Sequence, residues 1–212
     1  MRTKTQEKRQ AILDVAAATF GELGFERSSM SEICARLGGS KATLYNYFPS
    51  KEALFLEVMF QASEADFRNT MDSLQLGDGD IAQTLRTFGC RLLGLLYSPN
   101  VVAVRRLLVA EGDRANVGRN CYEHGPRRSH AAVAAFLQQA MNQGLLRTAC
   151  TALATRQLHS LLESELIARL LFQHEALPQP AEIAQCCDRA VDAFMHLYAP
   201  DRAFAPGSNS KK

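Results

Sequence analysis

The sequence predicts an all-α protein of about nine helices, arranged as an N-terminal three-helix unit, a larger helical body and a polar tail. Three observations predict it. Apolar residues recur at i, i+3, i+4 and i+7 through almost every segment, the period of a helix with one buried face. No stretch shows the period-two alternation of a strand, and Gly, Pro and Ser fall between the periodic segments, where helices stop and restart. With 212 residues, 47% of them hydrophobic and no tryptophan, the chain can bury one large core or two small ones.

From Thr5 to Gly24, Ile12, Leu13, Ala16, Ala17, Phe20 and Leu23 form one helical stripe. Arg2, Lys4, Lys8 and Arg9 precede or open it as a basic arm, either a solvated tail or a phosphate contact. The next helix carries Met30, Ile33, Cys34 and Leu37 on one face; Ser29 caps it, with Glu32 placed for a capping box. Gly38 and Gly39 break that helix and Ser40 starts another, Lys41 to Phe48. In it Ala42, Leu44 and Phe48 suit the interior, and Lys41, Thr43, Asn46 and Tyr47 face outward with Tyr45 at the border. So short a helix must lean on neighbours, since isolated helices below ~12 residues are marginal. The pattern is a helix-turn-helix, whose outer cation, hydroxyls and amide can donate to phosphates and read base edges. A small helical corner with a polar outer face shows the same pattern.

Pro49 ends this helix and Ser50 caps the next, which runs from Lys51 through Leu54, Phe55, Val58, Met59 and Ala62 to about Leu74. Lys51 sits at a helix N-terminus, a place suited to an anion such as a DNA phosphate. Residues 1–51 hold eight Lys/Arg against five Asp/Glu and the remainder sixteen against seventeen, so the basic excess lies with the helix-turn-helix. Gly77 to Asp80 reads as a linker. Ile81 to Tyr97 is apolar on more than one side and therefore central; Pro99 starts a helix through Val101, Val104, Leu107 and Leu108 to about Gly112. Residues 115–144 make one or two helices around Gly125-Pro126, and Thr151 to Phe172 and Ala181 to Tyr198 are the last two. Those two either close the chain's own core or meet a partner. The expected domains are 1–55, 56–199 and a disordered tail, 200–212.

SKATLYNYFPSKEALF, with SMSEICARLG before it and the Phe20-x-x-x-Gly24-Phe25 ending of the first helix, closely resembles the DNA-binding domain of the TetR family of bacterial transcriptional regulators, over about Lys8 to Val58. The resemblance implies DNA contacts at Ser29, Ser40, Lys41, Thr43, Tyr45, Asn46, Tyr47 and Lys51. It departs from the family pattern at Gly39, where valine is common, and at Cys34, where alanine is common. After Pro99 the arrangement resembles the AefR-like C-terminal subgroup, more weakly. Together these imply a cytoplasmic, nucleoid-associated homodimer that represses from a palindromic double-stranded operator until a small apolar or aromatic effector binds the helical ligand-binding and dimerisation domain. Phe88, Leu92, Arg105, Phe136 and Met141 are the candidate effector pocket, with solid core the equal alternative for Phe88, Leu92, Phe136 and Met141. Leu158, Leu162, Leu166, Val191 and Phe194 are the candidate dimer interface.

A rival class is an enzyme or ligand-binding protein whose helix-turn-helix is only structural; activation in place of repression is also open. The chain lacks G-x-S-x-G, G-x-G-x-x-G, a P-loop and H-E-x-x-H, so no catalytic residue and no cofactor is expected. His159 and Glu163, four apart, could give two metal ligands, but nothing nearby completes a site and no metal is expected. His124 and His130 flank the Gly-Pro break and read as surface residues, with acid/base groups or polar contacts of a pocket as the alternatives. Arg105 and Arg106 interrupt an apolar helix; one reaches inward to an anion, or both snorkel to solvent. The six cysteines read as reduced, most of them on apolar helical faces; at Cys186-Cys187 core packing is the default and a thiol sensor the alternative. No signal segment or membrane span is expected.

Overall fold

The computed structural model describes residues 2–76, 80–113, 117–173 and 175–200, with the side chains of residues 2–4 excepted. The Gly77–Gly79 linker, the tail from 201 and the Arg2 and Lys4 side chains of the basic arm lie outside the described residues. Eleven helices run through that part of the chain: α1 (Arg2–Arg27), α2 (Met30–Leu37), α3 (Lys41–Tyr47), α4 (Lys51–Met71), α5 (Ile81–Leu96), α6 (Pro99–Glu111), α7 (Val117–His124), α8 (Pro126–Asn142), α9 (Thr151–Glu163), α10 (Ile167–Phe172) and α11 (Pro180–Tyr198).

Two breaks raise the number above nine. Gly125 separates α7 from α8, as its Gly-Pro pair suggests. The stretch expected as one helix from Thr151 to Phe172 is two, with no Gly or Pro between them. Leu166 is drawn fully into the core, and the turn at Ser164 is closed by its own hydroxyl donating to the Leu161 carbonyl at 2.8 Å. Arg189 holds the neighbouring Glu165 from α11, donating to it at 2.6 and 2.9 Å.

The helices bury two apolar cores. One joins α1 to α4 around Ile12, Phe20, Ile33, Leu44 and Leu54, with the rings of Phe20, Phe25 and Phe55 in mutual contact. In α1, Thr19 is buried and the expected Ala17 is exposed. The other core joins α5, α8, α9 and α11 around Phe88, Leu93, Leu137, Leu158 and Phe194. The cores share two elements. α4 starts in the first and brings Met71, and beyond it Leu74 and Leu76, against the second. α6 gives Val104 and Leu107 to the first core and Val102 to the second, while Val117 and Cys121 of α7 also join the first. The apolar contact therefore continues past residue 55, the expected boundary.

Charged pairs lie over these junctions. Arg128 of α8 grips Glu64 of α4 with both nitrogens, at 2.8 and 2.9 Å, and lies over the Phe67 ring; this grip holds the Glu64 carboxyl below the usual carboxylate range. Arg86 of α5 reaches Asp188 and Asp192 of α11. Both are partly exposed and contribute little stability, ~0–1 kcal/mol each. Among the described residues no single helix is long and apolar enough to cross a membrane; α5 and α6 pass that test only together, bent by 65°.

α5 meets α9 and α11 at Gly89. A β-carbon there would stand 2.6 Å from the Cys187 sulfur and 2.7 Å from Leu162 Cδ2, whereas one at Gly94, on the same helix, would meet nothing within 4 Å. Gly89→Ala should therefore destabilise the fold despite alanine's helix preference, by ~1–2 kcal/mol, since overpacking costs ~1–3 kcal/mol. Gly94→Ala should stabilise by ~0.5–1 kcal/mol. Urea unfolding of the two variants checks the opposite signs.

Candidate nucleic-acid interface

The helix-turn-helix is built by caps. Ser29 Oγ accepts from the Glu32 amide and Ser40 Oγ from the Thr43 amide, both at 3.1 Å. Only half of the expected capping box forms, because the Glu32 carboxylate turns to Arg36 at 2.8 Å. Gly38 takes the left-handed conformation that stops α2, φ 71, and Gly39 does not. Cys34 does more than fill alanine's place: its thiol donates to the Gly39 carbonyl at 3.1 Å, across the turn.

Leu44 and Phe48 anchor α3 in the core, leaving Lys41, Ala42, Tyr45 and Asn46 exposed. Ala42, expected inside, is on the outer face. Thr43 is half-buried with its hydroxyl 2.9 Å from that of Ser40, and half-buried Tyr47 packs against the core. Of the eight expected contact residues, Ser29, Ser40, Lys41, Tyr45 and Asn46 are exposed.

Lys51 is differently employed. Its ammonium donates to the carbonyls of Phe25 at 2.9 Å and Ser28 at 3.3 Å and lies 4.0 Å from the centre of the Phe25 ring. It thus neutralises the carbonyl end of α1, which Gly24 breaks at φ 75, and at most one of its three donors remains for a phosphate. Arg9 of the basic arm is likewise engaged, 2.8 Å from Glu57 and over the Phe48 ring.

In the body, the two arginines of α6 part ways: Arg106 is exposed and Arg105 turns inward. Arg105 Nη2 donates to Glu163 Oε1 at 2.7 Å, the Tyr97 hydroxyl donates to the same oxygen at 3.2 Å, and the guanidinium lies over the Tyr97 ring. Burial, with the Glu163 charge, pushes the Tyr97 hydroxyl pKa upward, so it remains a donor. One turn back on α9, His159 Nδ1 stands 2.9 Å from the Thr155 carbonyl, which can only accept, so in the neutral ring Nε2 accepts from the Ser129 hydroxyl at 3.0 Å. The sequence signals were the arginine in an apolar helix and the His159/Glu163 spacing; nothing pointed to Tyr97 or Ser129. Among the described residues no three His, Cys, Asp or Glu side chains converge as metal ligands.

Phe88, Leu92, Phe136 and Met141 are packed in the second core and do not line two open clefts found among the described residues, ≈ 540 and ≈ 660 Å³, which are bounded by Asp66, Arg91 and Ser98 and by Gln75, Gln139 and Asn142. The dimer assignment needs correction. Leu158, Leu162, Leu166, Val191 and Phe194 are all buried inside the protomer, because α9 and α11 close their own core against α5. The exposed apolar side chains of that end are Leu153, Leu171, Phe172 and Leu197. His124, read as a surface residue, is exposed and stacks on Phe60, and Cys187 lies in contact with Cys90.

Comparison with known proteins bears on the whole chain. The family model of tetR-family bacterial regulatory proteins matches residues 12–58, and that of the AefR-like transcriptional repressor C-terminal domain matches residues 83–200. The regulator UidR of Escherichia coli is 36% identical over 100 residues, 44% of this chain and 51% of its own; the chain spans about half the length of the curated relatives it matches. A TetR-family regulator from Mesorhizobium loti superimposes with a TM-score of 0.76 at 28% identity, covering 92% of this chain and 98% of that one. The flavonoid-responsive regulator FrrA does so with a TM-score of 0.68 at 29% identity, over 92% and 99%.

Two outcomes follow from the site geometry. Lys51→Met, which keeps the stem and removes the charge, should lower unfolding stability by ~1–2 kcal/mol, since hydrogen bonds from a charged donor contribute ~1.5–3 kcal/mol and this one is half-exposed. Unchanged urea unfolding would mean that Lys51 serves an external phosphate alone. Burial above all lowers the pKa values of His159 and His130, so the unfolded chain takes up these protons first as pH falls. Stability should be full above pH 6.5, the ordinary imidazole value, and decline below it until the folded-state rings protonate. His159→Gln should shrink that decline in unfolding curves recorded from pH 8 to 5.

Proposed function

The chain belongs to the TetR family of bacterial transcriptional regulators, and from that premise we propose that it binds a palindromic operator as a homodimer and represses transcription until a small effector enters the body. The single observation that carries the DNA-binding part is the exposed outer face of α3, with Lys41, Tyr45 and Asn46 free of the core that holds Leu44. In this reading Ser29, Ser40, Lys41, Tyr45, Tyr47 and the remaining donor of Lys51 position the phosphate backbone, and Asn46 with Thr43 reads base edges. It acts in the cytoplasm, where its operator is.

A seven-residue helix spans only about 10 Å and reads few bases, so a second copy is needed to present another α3 about 34 Å away. The partner meets the outer faces of α9 and α11 beside Leu153 and Leu197, since their inner faces are already used. FrrA responds to a flavonoid, which supports an aromatic effector here too. α4 and α6, each in both cores, carry the effector's influence to the helix-turn-helix.

Gel shifts on the chain's own upstream DNA over a salt series test this. Lys41→Ala should weaken operator and random DNA alike and reduce the salt slope by about one. Asn46→Ala should cost ~1–3 kcal/mol on the operator and little on random DNA. Equal losses by Asn46→Ala on both DNAs would sink the assignment of base reading to α3.

A further inference from the structure

We propose that Arg105 and Tyr97 form an anion seat, which binds the carboxylate of an apolar organic acid in place of Glu163. The seat is under-filled as it stands. The Arg105 side chain is 17% exposed, and its Nη2 is satisfied by Glu163 Oε1. Its Nη1 is buried with no acceptor among the described groups. A guanidinium is a rigid fork matched to both oxygens of a carboxylate, and Glu163 offers it one.

Glu163 is also a poorly held occupant. It is the last residue of α9, where the carbonyl ends of the helix disfavour a negative charge. Its side chain is 24% exposed, so it can swing into water. Thr155 Oγ1, two turns back on α9, is a second buried polar atom without a partner, and His159 stands between them. Unmet hydrogen-bonding capacity therefore lies at Thr155 on α9 and, beside Glu163, at Arg105 Nη1 of α6.

Charge selects the incoming ligand. Removing Glu163 from beside a buried arginine leaves an uncompensated cation, which is strongly unfavourable, so a neutral or cationic compound cannot take its place. An anion makes the exchange neutral, and Tyr97 donates to it as it does to Glu163. Val102, one turn before Arg105 on α6, and Leu162, next to Glu163 on α9, belong to the apolar core, which favours an apolar body behind the carboxylate. The seat deepens the effector reading above and rests on it only for its effect on DNA.

The test is titration of the full chain with benzoate and cinnamate against their amides, followed by calorimetry and thermal denaturation. The carboxylates should bind and raise the melting temperature at millimolar concentration and the amides should not. Glu163→Gln, which removes the internal competitor and keeps the side chain's shape, should bind the acids at least about tenfold tighter, the factor of one charge-assisted hydrogen bond. Arg105→Gln combined with Glu163→Gln removes both charges without stranding either, and should not bind them. Failure of both acids to bind Glu163→Gln, equal binding of the amides, or binding retained by the double variant would overturn the proposal. Gel shifts with the same acids are read separately: acids that bind through Arg105 without releasing operator support the seat and count against effector-controlled repression.

Discussion

A seven-residue helix has no stability of its own, so α3 exists only because Leu44 and Phe48 are sunk among α1, α2 and α4. Every other feature of the N-terminal unit serves that dependence. The caps at Ser29, Ser40 and Ser50 fix where the helices begin, Gly38 lets the chain turn back, and the Cys34 thiol holds the turn shut through the Gly39 carbonyl. Lys51 closes the far side by satisfying the end of α1. The outer face of α3 is thereby presented on a rigid support, and the support uses up some of the polar groups that would otherwise be assigned to a ligand.

The same economy shapes the link to the body. Neither core is closed by its own helices alone: the first takes Val104, Leu107, Val117 and Cys121 from α6 and α7, and the second takes Met71 from the end of α4. Since packed interiors resist continuous deformation, a shift of α6 in one core is felt in the other. Arg105 sits on that shared helix, so the state of its ion pair and the packing of Val104 beside it are properties of one element.

The sequence carried the fold because the stripes are long and the punctuation is plain. Thr5 to Gly24, Met30 to Leu37 and Ile81 to Tyr97 each pair a helical period with a Gly, Ser or Asp stop, and each stands where expected, though α1 starts earlier, at Arg2, and a further turn follows its break at Gly24. The break at Ser164 to Leu166 was hidden, because tertiary pull on Leu166 and Glu165 makes it, not a breaker residue. The helix-turn-helix residues were legible by type but not by employment: periodicity places Lys51 at a helix start and cannot show that its ammonium turns back to Phe25. The same limit explains α9 and α11, whose wide apolar faces serve an inner core as well as they would a partner. Which of Arg105 and Arg106 turns inward depends on a tyrosine just past the end of α5 and a glutamate at the end of α9.

The crowding around Gly89 bears on how this sequence is free to drift. With the Cys187 sulfur and a Leu162 methyl occupying the space of a missing side chain, three positions on three helices share one volume. None of them can grow unless another shrinks. Alanine at 89 becomes admissible once 187 is reduced to alanine or glycine and the Leu162 methyl shifts into the space set free, so neutral change here proceeds through pairs, and the order of the two steps matters. The shrinking step opens a small void that the protein tolerates, whereas the growing step taken first meets atoms already in place.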